Sequence, residues 1–157
     1  MPLFEDGEIE LLQALRAELQ GEMTELSEDE ANRFSDVRLV RFLRGKDGSI
    51  EVAADEFRRM LKRRADLGLP ELLKNFTGKP FIAESVPGLP RIFKLFGIDG
   101  SSCNSRDNMI WVERLGCVDL QEVVQMSDDE LMVPLNSMLE LRQEHFDRLS
   151  LEKGKLV

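Results

Sequence analysis

Apolar positions recur at helical spacing through the first half of the chain and give way to short extended runs after residue 90. The most regular stretch is Val37 to Leu69. Ser35 is placed to cap a helix carrying Val37, Val40 and Leu43, broadened by Leu39 and Phe42 and interrupted by Arg38, Arg41 and Arg44. Gly45 and Gly48 stop it. Ser49 is placed to cap a second helix, on which Ile50, Ala53, Ala54, Phe57, Met60, Leu61 and Leu67 recur up to Gly68 and Pro70. The pattern predicts an amphipathic helical hairpin. Upstream, Ile9, Leu12, Leu15 and Leu19 share a face of a helix over Glu8 to Leu19, and Ser27 with Glu30 reads as a capping box leading toward Phe34.

Downstream, a short helix over Glu71 to Phe76 precedes Thr77 to Pro90, where Gly78, Pro80, Pro87, Gly88 and Pro90 break regular structure. Arg91 to Ile98 and Met109 to Leu115 read as two antiparallel strands around a turn-rich loop. Ser127 and Glu130 form a second capping box. Leu131, Leu135, Met138, Leu139, Phe146 and Leu149 continue at helical spacing, with Pro134 expected to kink or restart that helix. The last residues, Gly154 to Val157, read as a turn entering a new strand. The predicted fold is mainly α with a small β hairpin. Its expected divisions are an acidic N-terminal helix (1–26), a helical domain (27–76), a linker (77–90) and a mixed segment (91–157).

A chain of 157 residues, 42% hydrophobic and 32% charged, has the composition of a single globular domain. Its start lacks the basic flank and apolar run of a signal peptide, and no segment reaches the roughly 18–20 apolar residues that span a bilayer. A cytoplasmic or soluble organelle compartment is the expectation, with peripheral membrane association open. Cys103 and Cys117 form no metal-binding or disulfide pattern and read as packing or surface thiols.

The net charge of −9 argues against nucleic acid as a partner. Its distribution is uneven: residues 1–36 carry −9, 37–64 carry +5, 65–116 are neutral and 117–157 carry −5. Within the basic segment, Arg58, Arg59, Lys62, Arg63 and Arg64 make a broad cationic helix face behind Phe57 and Leu61. Such a face either pairs with the acidic N-terminal helix or meets an anionic membrane or protein.

Catalytic signatures are missing from the sequence. His145 stands alone on a charged helix face with Glu144 and Asp147 near it in sequence, and with no nucleophile or orienting group to match it. Asp128 and Asp129 belong to a first helical turn, where they complement the helix dipole. Phosphate-binding glycine loops are absent, so no cofactor and no metal is called for, and the chain is not expected to be an enzyme.

Leu39-Val40-Arg41-Phe42-Leu43-Arg44, a short corner and a helix opening Ser49-Ile50-Glu51-Val52-Ala53 resemble the N-terminal helical motif of the CRAL-TRIO (Sec14-like) lipid-transfer family, LLRFLRARKFDVEKA. Gly97-Ile98-Asp99-Gly100, followed by Ile110-Trp111-Val112-Glu113-Arg114-Leu115-Gly116, is similar to the family's first strand pair, D-x-x-G-R-P-V-x-x-E-x-L-G. Together with the helix that follows and Glu152 to Val157, the resemblance covers about residues 27 to 157. It implies a helical lobe (27–76) and an α/β lobe (91–157) that would enclose a phospholipid or another apolar ligand. It also implies that the chain stops where the family enters its central strands, leaving the lipid-binding lobe truncated and the pocket incomplete.

By the same resemblance Trp111 matches a pocket aromatic, Leu95 stands where a tyrosine is expected on the first strand, and Lys46-Asp47 stands where Arg-Lys is linked to head-group binding. Two functions follow. One is lipid binding or lipid transfer. The other is a non-catalytic interaction or structural subunit of a larger, membrane-associated assembly that has lost lipid binding, with a protein partner covering the open sheet.

Overall fold

A computed structural model describes residues 2–74, 76, 86–103 and 109–157. Among these the fold is mainly helical, with nine α-helices and one antiparallel β hairpin. The chain divides into two compact units, Met1–Lys79 with Gln143–Val157, and Pro80–Arg142.

The first unit is built on α1 (Glu8–Glu18), α2 (Gln20–Glu25), α3 (Glu28–Arg33), α4 (Asp36–Arg44), α5 (Ile50–Asp66) and α6 (Leu69–Leu73). Leu12, Leu15 and Leu19 from α1 and its end meet Leu39 and Leu43 of α4 and Ala53, Ala54 and Phe57 of α5 in one core, closed by Phe34. Ile9, expected on the same face, is exposed. Phe57 anchors the hairpin: its ring meets Phe34 edge-on at 4.9 Å and Phe42 at 5.5 Å.

Helix ends show which polar side chains act as caps. The Ser49 hydroxyl accepts from the Val52 N–H (3.5 Å) and that of Ser27 from the Glu30 N–H (3.3 Å). Ser35 does not cap with its side chain as predicted; it holds the N-cap backbone conformation, but its buried hydroxyl has no hydrogen-bond partner among the described residues. The α4–α5 corner turns through Asp47 and Gly48, both at positive φ (51° and 76°), and the Gly48 N–H donates to the Leu43 carbonyl at 2.9 Å. The helix predicted over Glu71 to Phe76 begins earlier, at Leu69, since Gly68 (φ 65°) and Pro70 form its start.

In the second unit α7 (Leu89–Phe96) replaces the predicted first strand, Arg91 to Ile98. Three features select the helix. Pro90 sits in its first turn, glycines in left-handed conformation bound it at positions 88 and 97, and Leu89, Ile92 and Leu95 repeat every three residues and are all buried. Strand character starts one residue after Gly97, at β1 (Ile98–Cys103), which pairs with β2 (Met109–Glu113). The register runs Ile98 with Glu113, Asp99 with Val112, Ser102 with Ile110 and Cys103 with Met109. Gly100 and Ser101 therefore oppose Trp111 in a bulge. Most of the predicted linker (77–90) and residues 104–108 of the hairpin loop lie outside the described residues.

After a 3-10 turn (Leu115–Cys117), α8 (Leu120–Val123) leads to α9 (Asp128–Lys153). Pro134 neither ends nor restarts α9, which is helical throughout. Pro134 is buried, and a Cβ on Gly88 would come within 2.8 Å of its ring, so the proline is held by close packing. Leu139, expected on the packed face, is exposed. In place of the predicted strand at the C-terminal residues, Gly154 turns the chain and Lys155 makes an isolated antiparallel bridge to Pro2.

Candidate functional site

Three arginines of α4, spaced every third residue, gather the first unit's other segments. Asp147 of α9, itself buried, receives Nε–H of Arg38 at 2.5 Å and of Arg41 at 3.0 Å, and Gln143 donates to it at 3.0 Å. Arg41 also donates to the Ser150 hydroxyl (3.0 Å) and the Val157 carbonyl (3.2 Å). Arg44 forks onto Glu8 of α1 at 2.6 and 2.7 Å, holding that carboxyl below the usual carboxylate range. Sequence reading treated these arginines as interruptions of an apolar stripe. Their regular spacing was the available signal, but nothing local identified Asp147 or Glu8 as partners.

A second buried cluster centres on Glu30. Arg64 reaches it at 2.6 Å and Arg33 at 3.3 Å; Arg33 also bonds Glu144 (2.6 Å) and the Leu73 carbonyl (2.8 Å). The Arg64 guanidinium lies 5.4 Å from the Phe34 ring centroid. Glu30 thus turns inward, leaving the Ser27 box half-made. The Ser127 box is complete: Glu130 accepts from the Ser127 N–H (2.9 Å) while Ser127 accepts from the Glu130 N–H (3.3 Å). That bond to Ser127, first, keeps the Glu130 carboxyl low.

The five residues of the predicted basic face occupy different environments. Arg64 is buried on Glu30. Arg58 bonds Glu22, Glu18 (2.9 Å) and Asp55 (3.6 Å), and the bonds to Glu22 and then Glu18 raise its pKa further. Arg59 pairs with Glu56 at 2.8 Å and Lys62 with Asp66 at 2.6 Å, while Arg63 is exposed. Lys46, at the corner, bonds Glu56 at 3.0 Å and is the first cause of that carboxyl's lowered pKa.

Of the other candidates, Leu95 is buried on α7 rather than on a strand, and its carbonyl accepts from the Asp119 N–H at 2.9 Å. Trp111 lies on β2. His145 contacts Arg148 at 3.0 Å; burial, then the Arg148 charge, lower its pKa, against a smaller opposing effect of Glu152. No cluster of potential metal ligands occurs among the described residues, and no described helix is long and apolar enough to cross a membrane.

Hollows in the first unit are small. One of about 150 Å³ lies beside Arg33, Ser35 and Asp147. One of about 350 Å³ runs along Leu26, Leu61, Ala65 and Pro70, and another of about 340 Å³ adjoins Asp29, Glu71 and Lys74.

Comparison with known proteins gives one informative relative. The chain is 30% identical over 101 residues to Sec14 cytosolic factor of Schizosaccharomyces pombe (strain 972 / ATCC 24843), a match that covers 64% of this chain and 32% of the relative. No family model matches, and no solved structure matches. The likeness hints at a CRAL-TRIO-like relationship.

Proposed function

We propose that this chain provides the helical lobe and part of the ligand-binding lobe of a Sec14-like, lipid-binding protein. The observation that carries the reading is the similarity to Sec14 cytosolic factor. The helical hairpin of α4 and α5, folded over the stretch that resembles the family's motif, supports it. The chain spans 32% of that relative's length, so the ligand and its transfer are inferred for the fold as a whole. In this reading the chain works by enclosing an apolar ligand, without catalysis. Trp111 contributes an apolar contact to that ligand.

Trp111 is the chain's single tryptophan, so its fluorescence reports on β2 directly. Titration with phosphatidylcholine vesicles is expected to shift its emission to shorter wavelength, and solvent extracts of the purified protein are expected to contain lipid by mass spectrometry. An unchanged emission together with lipid-free extracts refutes the proposal.

A second reading, a non-catalytic interaction subunit, is favoured by one observation. Leu115, Leu120 and Val124 are 76%, 67% and 78% exposed, and Leu120 and Val124 are one helical turn apart. A partner that covers them protects them from solvent. A monomeric chain that binds no hydrophobic dye counts against this reading.

A further inference from the structure

We infer that the groove between α2, α3, α5 and α6 is a docking site for a basic amphipathic segment of a protein partner. The inference rests on neither reading above. Its wall is largely apolar, formed by Leu26, Leu61, Ala65 and Pro70, and at about 350 Å³ it is at the small end for a ligand pocket. An adjoining hollow shares Glu30 and Pro70 with it and extends the trough past Asp29. Such a trough holds one or two long side chains, not a two-tailed lipid.

Charge selects the occupant. Around the two hollows stand five acids, Glu22, Glu25, Asp29, Glu30 and Glu71, and three bases, Lys62, Arg64 and Lys74. Most are matched within the fold: Glu22 by Arg58, Glu30 by Arg64, Glu71 by Lys74, and Lys62 by Asp66. Glu25 and Asp29 make no ion pair among the described residues. Asp29 lies in the first turn of α3, where backbone N–H groups favour it, but Glu25 is the last residue of α2, where the helix end opposes a carboxylate. A lysine or arginine stem laid along the wall, with its head at Glu25 and Asp29, satisfies both the apolar surface and the residual charge. A phosphate head group meets the wrong sign.

The test is fluorescence anisotropy of a labelled peptide of Lys and Leu at helical spacing, titrated with the full chain in low and physiological salt. Saturable binding is expected. Glu25→Gln with Asp29→Asn is expected to weaken it about tenfold, as is Ala65→Trp, which fills the wall from an exposed position. Glu25→Lys reverses a charge at an exposed helix end and is expected to weaken it further without touching the wall. Circular dichroism of each variant is expected to match the parent. The inference is overturned if no saturable binding occurs. It is also overturned if all variants bind as the parent does, since attraction to the overall net charge then suffices, or if a Glu–Leu peptide binds equally well.

Discussion

Asp147 offers the most direct perturbation of the first unit. Its carboxylate joins α9 to α4 through Arg38 and Arg41, and the Arg38 and Asp147 side chains are 8% and 7% exposed. Water therefore screens this pair poorly. Removing one partner of such a buried pair costs roughly 3–5 kcal/mol, mostly from the charge left behind. Arg41 is 25% exposed and retains its bonds to Ser150 and the Val157 carbonyl, so its share is small and the lower end applies. Asp147→Ala is thus expected to cost roughly 3 kcal/mol, lowering Tm by roughly 6–12 °C in a chain of this size. Asp147→Asn keeps an acceptor but loses the charge, and falls between Ala and the parent.

The assay is thermal and urea unfolding followed by far-ultraviolet circular dichroism, combined with the double substitution Asp147→Asn and Arg38→Met. Replacing a buried ion pair with apolar groups is often near neutral. The double variant is therefore expected to recover much of the stability lost by Asp147→Asn. A loss below about 0.5 kcal/mol for Asp147→Ala, or strict additivity in the cycle, refutes the idea that an uncompensated buried charge sets the cost.

Phe57→Ala, which removes a fully buried ring and two edge-on aromatic contacts, is expected to cost roughly 3–5 kcal/mol in urea unfolding. Gly97→Ala places a Cβ 2.9 Å from the Arg114 carbonyl oxygen at φ 59°, so a loss of roughly 1–3 kcal/mol is expected, read as faster proteolysis around α7 and β2. The His145 pKa is lowered from 6.5, first by burial, so the unfolded chain takes up its proton before the folded one does. Its contribution therefore lowers stability as pH falls from the unfolded pKa toward the folded one. Stability titrations are expected to show a slope just below pH 6.5 that His145→Gln removes; the lowered carboxylates Glu8, Glu22 and Glu56 act nearer and below 4.5.

Helical periodicity located α1, α4 and α5 closely, because each buries one continuous stripe whose spacing is a local property. Periodicity failed at α7. A run of eight residues, rich in Ile, Phe and Leu, suits a strand as well as a helix, and the decision lies in Gly88, Pro90 and Gly97, of which the sequence pattern puts the first two in a linker and the third inside a strand. Capping was legible as a pattern but not in its outcome. Ser27 and Ser127 head the same motif, yet Glu130 closes its box while Glu30 is drawn away by Arg33, its neighbour one turn on, and by Arg64, which the fold brings to it. Ser35 shows the converse: the right residue at the right backbone position, with a hydroxyl that does not cap the helix.

The basic segment within an acidic chain is largely an internal counter-charge. Residues 37–64 carry +5 between segments carrying −9 and −5, and those segments supply Asp147, Glu5, Glu8, Glu18, Glu22 and Glu30 to Arg38, Arg41, Arg44, Arg58 and Arg64, with Asp55 of the basic segment adding a longer contact to Arg58. Magnitudes decide what remains for an outside surface. Exposed ion pairs such as Arg59–Glu56 and Lys62–Asp66 are weak because water and salt screen them, and the gain of a basic residue near an anionic bilayer is similarly small. These two exchange partners at little net cost. Arg64, buried against Glu30 and Phe34, cannot leave without exposing its site, so it belongs to the fold. Any membrane or partner contact through α5 therefore rests on its exposed side, Arg59, Lys62 and Arg63, while the arginines nearest the core hold the lobe together.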